Sequence, residues 1–419
     1  MGLRLMYLLT IPHSALWYLR GQLAHMQAAG YDTSFVSTRG EGGELAEVGR
    51  REGVAVYPLD VSREIDPARD LVSMWHLHRI MRRVRPQIVN FGNPKTGLVG
   101  GLVSWARRVP VRVYTLHGLR LETVTGRKRQ VLRLCEWVTM RCAHRVVAVS
   151  PSLRARALEL GLTSPGKIVT LHHGSVNGIR PVVADPAEVE RARVRLGLNP
   201  GGVVFGFVGR FTRDKGIREL VAAFLGVRET YPDATLLLVG DFEAGDPVDA
   251  GTRARLAGEA GILHAGYVTD VAPYYALMDV LVLPTYREGF PTVALEAASA
   301  GLPLITTDAT GARDAVREGE TGLRVPVGDV DALSRAMVRL AEDPGLRRRL
   351  GEESQAWVAH DFAQERLWKE WDMLYRRLWA QSRERAARTR RLALGTGAVL
   401  VLTELTARVV GIFGRRGRG

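Results

Sequence analysis

The stretch Tyr286–Gly301, Y-R-E-G-F-P-T-V-A-L-E-A-A-S-A-G, decides the fold of this chain. The run before it, Val280–Pro284 (V-L-V-L-P), is apolar and rich in β-branched residues, which is typical of a buried parallel strand. The Ala-rich run inside the stretch predicts a helix with Pro291 at its first position and Gly301 as its C-cap glycine. The stretch therefore predicts a strand, a short loop and a helix.

Two glutamates flank the predicted start of this helix. Glu288 lies in the loop, and Glu296 lies one to two turns inside the helix. The N–H groups from about Thr292 to Ala294 would point at an anion over the sheet, and a carboxylate on either side can accept hydrogen bonds from hydroxyl groups. The pattern predicts a ligand with phosphate in the middle and sugar hydroxyls at both ends, as in a sugar nucleotide. The alternative is that both glutamates are solvated surface charges.

A second phosphate signal occurs earlier in the chain. The predicted strand Val203–Val208 leads into Gly209–Gly216 (G-R-F-T-R-D-K-G) and then into a predicted helix, Ile217–Thr230. Gly209 permits a tight turn, and Arg210 and Lys215 can converge on a diphosphate at the start of the helix. Loops of this kind are common, so the signal gains weight only from its pairing with the two glutamates on another loop of the same sheet.

Regular alternation of strands and helices fills the first half of the chain. It predicts a parallel sheet covered on both faces, and ligands of such sheets lie at the carboxyl ends of the strands. His13, Lys95 and His117 are predicted at these ends and are candidates for the acceptor side, although a lone histidine is more often structural. No Gly-x-Gly-x-x-Gly follows the first strand, so a dinucleotide cofactor is poorly supported.

The chain divides by charge into basic and acidic parts. It has 419 residues, 46% of them hydrophobic, and a net charge of +14. Residues 1–177 carry a net +13, residues 178–363 a net −7 and residues 364–419 a net +8. This distribution indicates a positive face turned towards a polyanion, either membrane lipid or nucleic acid. The two cysteines, Cys135 and Cys142, fit reduced, buried thiols and form neither a disulfide nor a metal site.

Two basic segments raise the possibility of membrane contact. Arg127–Cys142 has the pattern of a basic helix with Trp137, and it fits a membrane-surface helix and an ordinary covering helix equally well. Leu392–Phe413 is mostly apolar but contains Glu404 and Arg408, so it falls between a spanning segment and an in-plane anchor. The alternative for this segment is a frayed basic tail.

Four segments follow from the pattern. We expect a first Rossmann-like domain at residues 1–177 on the acceptor and membrane side, and a second one that binds the nucleotide sugar at residues 178–363. A crossover helix at 364–391 is expected to pack back on the first domain, followed by a basic, apolar tail at 392–419. In the second domain the predicted strand Ile262–Val268 ends at a glycine turn, where a nucleobase would stack or bond to main chain, so Val268 is a donor-site candidate.

These motifs resemble the retaining glycosyltransferases known as family four. The resemblance rests on Gly209-Arg210 with Lys215-Gly216, on Glu288-Gly-Phe-Pro with Glu296, and on the G-Y-V-T-D run. Such enzymes have the GT-B fold, in which two Rossmann-like α/β domains face each other across a cleft. Four stretches of the first half look like bacterial transferases that extend undecaprenyl-diphosphate-linked sugars, including the N,N'-diacetylbacillosamine-type N-acetylgalactosaminyl and hexosyl transferases: Leu19–Leu23, Pro94–Gly100, Val113–Gly118 and His173–Gly178.

The resemblance implies roles for single residues. Arg210 and Lys215 would hold the donor diphosphate, Glu296 the ribose, and Glu288 the donor sugar, with His117 lining the cleft nearby. The remaining donor-side residues are Gly209, Val268, Gly289, Phe290, Pro291 and Thr292. The first loop lacks the paired glycines of many family members. Gly92-Asn93 also stands where the branch usually has His-Thr, which leaves the identity of the acceptor open.

The expected function is transfer of a hexose or N-acetylhexosamine, with retention, from a nucleoside-diphosphate sugar to a polyprenyl-diphosphate-linked saccharide. UDP is favoured as the nucleotide, no metal cofactor is expected, and the enzyme would sit peripherally on the inner face of the bacterial plasma membrane. No nucleic-acid partner is expected. The alternatives are a sugar-nucleotide epimerase, a soluble glucan or disaccharide transferase of the same fold, or a non-catalytic basic protein that binds nucleic acid.

Overall fold

A computed structural model of the chain describes residues 2–61, 66–198, 201–243 and 245–413, without the side chains of residues 67 and 389–413. It forms two compact units, Met1–Trp371 and Asp372–Gly419. The first unit contains two parallel β-sheets with helices between their strands. Each sheet is described below with the elements that precede and follow its strands.

The first sheet has seven strands in the order β3-β2-β1-β4-β5-β6-β7, all parallel. Its order reverses between β1 and β4, as in a Rossmann sheet. The strands are β1 Leu3–Leu8, β2 Tyr31–Ser37, β3 Ala55–Pro58, β4 Ile88–Gly92, β5 Val111–Leu116, β6 Arg145–Ala148 and β7 Ile168–Val169. The helices of this part are α1 His13–Tyr18, α2 Gln22–Ala28, α3 Glu44–Glu52, α4 Pro67–Val84, α5 Pro94–Ala106, α6 Gly126–Cys142 and α7 Pro151–Glu159.

The second sheet has six parallel strands in the order β10-β9-β8-β11-β12-β13, which repeats the same topology. The strands are β8 Val204–Val208, β9 Thr235–Val239, β10 Ile262–Gly266, β11 Val280–Leu283, β12 Leu304–Thr307 and β13 Gly322–Val325. The helices are α8 Pro186–Leu196, α9 Ile217–Thr230, α10 Ala250–Gly258, α11 Ala272–Tyr275, α12 Thr292–Ser299, α13 Val330–Glu342, α14 Pro344–Asp361 and α15 Gln364–Phe413. The expected pair of Rossmann-like sheets is therefore confirmed.

The central strands of the second sheet are continuous apolar runs because they are fully buried. All five residues of β8 and all four of β11 are buried, because helices cover both faces of the sheet. Gly206 in β8 leaves room for the side chain of Met278, which occupies the place where a Cβ would lie. The side chain of Met278 thus packs directly on the backbone of β8, the strand beside which the order of the second sheet reverses.

Two predicted helix boundaries were wrong. The pattern of Ser14–Ala29, which ends before Gly30, predicts a single helix, but Gly21, whose φ of +82° is left-handed, divides this segment into α1 and α2. Pro291 is the N-cap of α12 and has extended backbone angles, so the helix begins one residue later, at Thr292.

The two sheets are joined by contacts at their carboxyl edges and along the connecting chain. The N–H of Ile179 donates to the carbonyl oxygen of Phe362 at 2.7 Å, and Ile179 forms a parallel bridge with Ala363. On the cleft side, the hydroxyl and N–H of Ser152 donate to Oδ2 of Asp314 at 2.5 and 2.9 Å. The predicted domain limits at 177 and 363 stay predictions, because neither sheet fixes a boundary residue.

The first turns of α15 contact the helices of the first sheet. Trp368 is buried, its Nε1–H donates to Oδ1 of Asn177 at 2.7 Å, and its ring lies 4.9 Å from that of His25 in α2. Packing of residues 372–391 on the first domain stays a prediction. The segment Leu392–Phe413 lies within α15, but its side chains are outside the described residues. Among the helices that the structure describes, none is long and apolar enough to cross a bilayer.

Candidate active site

The two predicted phosphate loops lie side by side at the switch point of the second sheet. One loop follows β8 and runs through Gly209–Gly216, and the other follows β11 and leads into α12. They are bonded directly, since the N–H of Tyr286 and the hydroxyl of Thr285 both donate to the carbonyl oxygen of Asp214, at 2.9 and 3.1 Å. Ligands of doubly wound sheets bind at this position, because the loops diverge there.

Two crossed ion pairs connect the loops. Lys215 pairs with Glu288, and the neighbouring residues Asp214 and Arg287 pair at 2.8 Å. Lys215 and Glu288 each keep 17% of their side chain exposed, whereas Asp214 keeps 9% and Arg287 24%. Thr212 also donates to Asp214 at 2.6 Å, and this bond, with the nearby cations, holds the pKa of the Asp214 carboxyl below its usual value despite burial. We refer to these four charged residues as the crossed pairs.

Arg210 and the start of α12 complete the anion-binding side. Arg210 pairs with Glu243, and 59% of its side chain is exposed, so the guanidinium remains accessible. Gly209 before it has a φ of +151°, and the carbonyl of Gly209 packs against Gly240 where a Cβ would lie. At the start of α12 the N–H of Ala294 donates to the carbonyl oxygen of Pro291 at 3.1 Å. The predicted set of free N–H groups is therefore corrected to exclude Ala294, because the turn already uses it.

Glu296 projects from α12 towards the same cleft and is oriented by a buried tyrosine. The Tyr275 hydroxyl donates to Oε2 of Glu296 at 2.8 Å, and Tyr275 is only 1% exposed. Burial raises the pKa of the Glu296 carboxyl, while the bond from Tyr275 acts in the opposite direction. The second oxygen of Glu296 is left to accept a hydrogen bond from a ligand hydroxyl.

The remaining donor-side residues surround this position. Val268 is half-buried two residues after β10. Phe290 is 5% exposed, so its side chain belongs to the core and only its main chain can face a ligand. Gly289 lies against the carbonyl oxygen of His117 in the place where a Cβ would be, which requires glycine there. The structure thus brings the donor-side residues of the second sheet to one edge.

His117 is brought to this edge from the first sheet. It follows β5, and its carbonyl contacts Gly289 of the second sheet. Burial lowers the pKa of the His117 imidazole to about 4, so the ring is neutral at neutral pH and can donate or accept a hydrogen bond without charge.

The other two acceptor-side candidates engage neighbouring carboxylates. Lys95, at the start of α5, binds Oδ2 of Asp70 at 2.6 Å, and His13 lies 3.7 Å from Glu44 with 48% of its side chain exposed. Their predicted contact with an acceptor stays a prediction.

Several residues of the site were not predicted from sequence. Arg287 links the donor loops to the first sheet, because its Nε–H donates to the Thr123 hydroxyl at 2.9 Å. Tyr18 in α1 is 45% exposed as a residue. Burial around its phenol group raises the pKa of that group, and the negative charge of Glu288 raises it further. Arg287 could have been noticed as the residue beside Glu288, whereas Tyr18 has no local sequence signal.

A separate polar cluster joins His172, His173 and Asp361, whose ligand atoms lie within 4.8 Å of one another. The cluster is already satisfied by arginines: Arg317 binds Oδ2 of Asp361 at 3.0 Å and Arg366 lies 3.4 Å from Nε2 of His172. These cations disfavour a metal ion at the same place. Asp361 is a carboxylate partner of these histidines that the sequence did not reveal, and it lies 3.7 Å from Nε2 of His173.

Each half of the chain matches a known glycosyltransferase domain family. Residues 15–174 match the glycosyl transferase 4-like domain, and residues 202–343 match the glycosyl transferases group 1 domain. The capsular polysaccharide biosynthesis glycosyltransferase CapM of Staphylococcus aureus is 33% identical over 374 residues, which is 89% of this chain and 96% of CapM. A UDP-Gal:α-D-GlcNAc-diphosphoundecaprenol α-1,3-galactosyltransferase of Escherichia coli is 25% identical over 70% of this chain and 76% of its own length.

Solved structures agree on the fold. HepE of Anabaena, determined in complex with UDP and glucose, superposes with a TM-score of 0.74 at 18% identity, covering 89% of this chain and 99% of HepE. A glycosyltransferase of Rickettsia africae gives a TM-score of 0.73 at 17% identity, covering 90% of this chain and 98% of its own. Both likenesses confirm the expected GT-B architecture of two α/β domains. The chain therefore belongs to the glycosyltransferases that combine a 4-like domain with a group 1 domain.

Proposed function

We propose that this glycosyltransferase moves a hexose or N-acetylhexosamine from a UDP-sugar to a polyprenyl-diphosphate-linked saccharide in bacterial polysaccharide assembly, with retention at the anomeric carbon. The observation that carries the proposal is the arrangement at the second switch point. Arg210, Lys215 and the start of α12 surround one place for a diphosphate, and Glu288 and Glu296 flank it. A sugar nucleotide can engage both cations through its diphosphate and both carboxylates through its hydroxyl groups.

The chemistry of the leaving group fits these residues. When the bond between the sugar and the diphosphate breaks, negative charge develops on the diphosphate, and preorganised cations and N–H groups stabilise it. Arg210 is accessible, and Lys215 can bind a diphosphate once phosphate has displaced Glu288 from its ammonium group. Glu296, fixed by Tyr275, would accept hydrogen bonds from the ribose. Glu288 would accept hydrogen bonds from the donor sugar once a phosphate takes its place at Lys215.

The finer identity of donor and acceptor rests on relatives. HepE has been seen with UDP and with UDP-glucose, and the E. coli relative acts on a diphosphoundecaprenol-linked sugar with UDP-galactose. CapM takes part in capsular polysaccharide biosynthesis. Retention rests on the family resemblance. A peripheral position on the inner face of the plasma membrane follows from a lipid-linked acceptor and from the basic first half of the chain.

A ligand-binding panel tests the donor site. UDP-sugars should raise the thermal unfolding temperature by mass action, and UDP should raise it less, because UDP has no sugar hydroxyls to meet the Glu288 carboxylate that phosphate displaces from Lys215. EDTA should leave the shift unchanged, because the diphosphate partners are side chains and N–H groups. Lys215→Met and Glu296→Gln should each abolish most of the shift and nearly all transfer to a polyprenyl-diphosphate-linked acceptor.

Lys369→Met is the matched control, since it removes an exposed lysine of α15 away from the cleft. A full ligand shift in well-folded Lys215→Met would contradict the donor-site assignment. A shift with nucleic acid but with no sugar nucleotide would contradict the transferase function as a whole. Conversion of a UDP-sugar into its epimer without an acceptor would replace transfer by epimerisation.

A further inference from the structure

One side of the first sheet carries an apolar stripe that the described chain covers only in part, since Leu98 and Leu102 are half-buried and Trp105 is exposed. Helices α4, α5 and α6 are neighbours on that side, with α5 between the other two. The inner face of α5 is buried on the sheet. Its outer face presents Leu98, Leu102 and Trp105, which are spaced four and three residues apart and so form one stripe. Trp105 is 59% exposed, and α5 has no charged residue after Lys95.

The two flanking helices extend this stripe with further exposed apolar groups. Of the fifteen large hydrophobic side chains that are exposed in the described part of the chain, seven lie on these three helices. Such a concentration is unusual, because exposed apolar residues on monomers are normally scattered. The seven are Leu71, Val72 and Trp75 on α4, Trp105 on α5, and Val131, Leu134 and Trp137 on α6. We call the outer surface of α4, α5 and α6 the α4–α6 face.

The charge of the α4–α6 face has one sign. The three helices carry ten Lys and Arg residues and two acidic residues. Glu136 is 5% exposed and accepts a hydrogen bond from Tyr114, and Asp70 keeps 20% of its side chain exposed and binds Lys95 at 2.6 Å. The exposed charge of the three helices is therefore predominantly positive.

Two tryptophans of the face are paired with arginines. The guanidinium of Arg79 lies 4.8 Å from the ring centre of Trp75, and that of Arg141 lies 4.9 Å from the ring centre of Trp137. An indole ring with a cation beside it suits the boundary between lipid headgroups and acyl chains, because the ring is amphipathic and the cation can bind a lipid phosphate.

We propose that the α4–α6 face docks on an anionic bilayer, with its tryptophans at headgroup depth and its arginines on lipid phosphates. A second copy of the chain would present the same positive charge, so a symmetric dimer through this face is disfavoured electrostatically. The proposal rests on the proposed function in one respect: a lipid-linked acceptor needs the bilayer near the cleft. Asn93 and Lys95, at the start of α5, follow the carboxyl end of β4, so the docked face adjoins the edge of the sheet that faces the cleft.

Vesicle flotation of the full chain tests the proposal. We expect binding to vesicles of phosphatidylcholine with phosphatidylglycerol, weaker binding in high salt, and little binding to phosphatidylcholine alone. The variant with Trp75→Ala, Trp105→Ala and Trp137→Ala should bind anionic vesicles at least about tenfold more weakly than the native protein, because the buried apolar area is lost. All three side chains are exposed, so folding should be retained, and this is checked by thermal unfolding.

Reversal of charge on the same face gives an independent variant. Arg79→Glu combined with Arg129→Glu should weaken binding to anionic vesicles and reduce its salt dependence, because the net charge of the face falls by four. Matched control variants alter the second sheet's helices, with Val194→Ala for exposed apolar area and Arg335→Glu for exposed charge, and should bind as the native protein does. Equal vesicle binding by the native protein and both face variants, as would occur if the tail alone bound lipid, overturns the proposal. Absence of binding to anionic vesicles by the native protein overturns it too.

Two further readouts separate this proposal from the donor-site assignment. The thermal shift with UDP-sugars should be the same in the face variants as in the native protein, because the face is distant in sequence and role from the donor loops. If vesicle binding fails while that shift persists, the docking face is refuted and the transferase function stands. If light scattering shows a dimer that the tryptophan variant abolishes, without lipid binding, the face is an interface between copies and the proposal fails.

Discussion

Replacing Glu136 by glutamine should stabilise this protein in a manner that depends on pH. Glu136 lies on the inner face of α6, is 5% exposed, and accepts a hydrogen bond from the Tyr114 hydroxyl at 2.9 Å. Burial raises the pKa of its carboxyl from 4.5 to about 7, because the interior disfavours the ionised form, and Tyr114 only partly opposes this. Folding therefore carries a cost whenever the carboxyl must be ionised.

The sign follows from proton linkage. Between pH 4.5 and 7 the folded protein holds a proton on Glu136 that the unfolded chain has released, so the free energy of unfolding falls as pH rises through this window. Above pH 7 the whole cost is present, and it amounts to about 3 kcal/mol for a shift of this size. At pH 5 the cost is only about 1 kcal/mol, and below pH 4.5 it disappears.

Glu136→Gln removes the charge and keeps an oxygen that accepts from Tyr114. The buried amide N–H groups need new partners, which costs about 1 kcal/mol at every pH. The difference between pH 8 and pH 5 isolates the ionisation, and we expect the variant to gain about 2 kcal/mol more at pH 8 than at pH 5. Urea unfolding of the full chain at both pH values measures this, with the transition followed by two probes because a chain of this size need not unfold in two states.

Glu229→Gln, at an exposed position on α9, is the matched control and should show no such difference. Tyr114→Phe extends the test, since the loss of its hydrogen bond should push the Glu136 pKa further up and steepen the pH dependence. An equal effect of Glu136→Gln at pH 5 and pH 8 would refute the reasoning, because it would mean that Glu136 titrates normally in the folded protein.

Two further predictions concern the donor site. Tyr275→Phe should raise the KM for the sugar nucleotide about tenfold with a smaller effect on kcat, because it removes the hydrogen bond that orients Glu296. Steady-state kinetics with varied donor concentration measure both constants, and an unchanged KM would contradict this role. Arg287→Met should lower the free energy of unfolding by about 2 kcal/mol, between the values for exposed and buried pairs, because it leaves the Asp214 charge unpaired. Adding Asp214→Asn should recover part of that loss in urea unfolding, and simple additivity would contradict the pairing.

The elements of the fold were largely predictable from local pattern. The strand predicted at Val203–Val208 is found at Val204–Val208, and the helix Ile217–Thr230 has the predicted bounds, because an apolar β-branched run and a glycine before a helical run determine them locally. The division of the first helix at Gly21 was missed, since a glycine at one position does not reveal that its φ is left-handed. The parallel direction of the strands was implied by the alternation with helices, whereas the strand order was not predicted.

The members of the site were predictable one by one, but their partners were not. Glu296 was found by its spacing from Glu288, whereas its partner Tyr275 lies 21 residues earlier on another helix. Arg287 and Asp214 are 73 residues apart and meet only because β8 and β11 are adjacent in the sheet. Pairings of this kind are fixed by tertiary packing, which a single sequence does not display.

The crossed pairs give the donor site a way to reject partial ligands. With no ligand, the ammonium of Lys215 is neutralised by Glu288, so the protein itself occupies the position of the phosphate charge. A phosphate group that takes over Lys215 releases a carboxylate into a pocket that is mostly closed to water, and this release is costly unless hydroxyl groups meet it. Inorganic phosphate or a bare nucleotide supplies only half of the exchange, whereas a sugar nucleotide supplies both halves. In the proposed donor site, this ion pair would require diphosphate and sugar together, and the spent nucleotide would leave more readily once its sugar has gone.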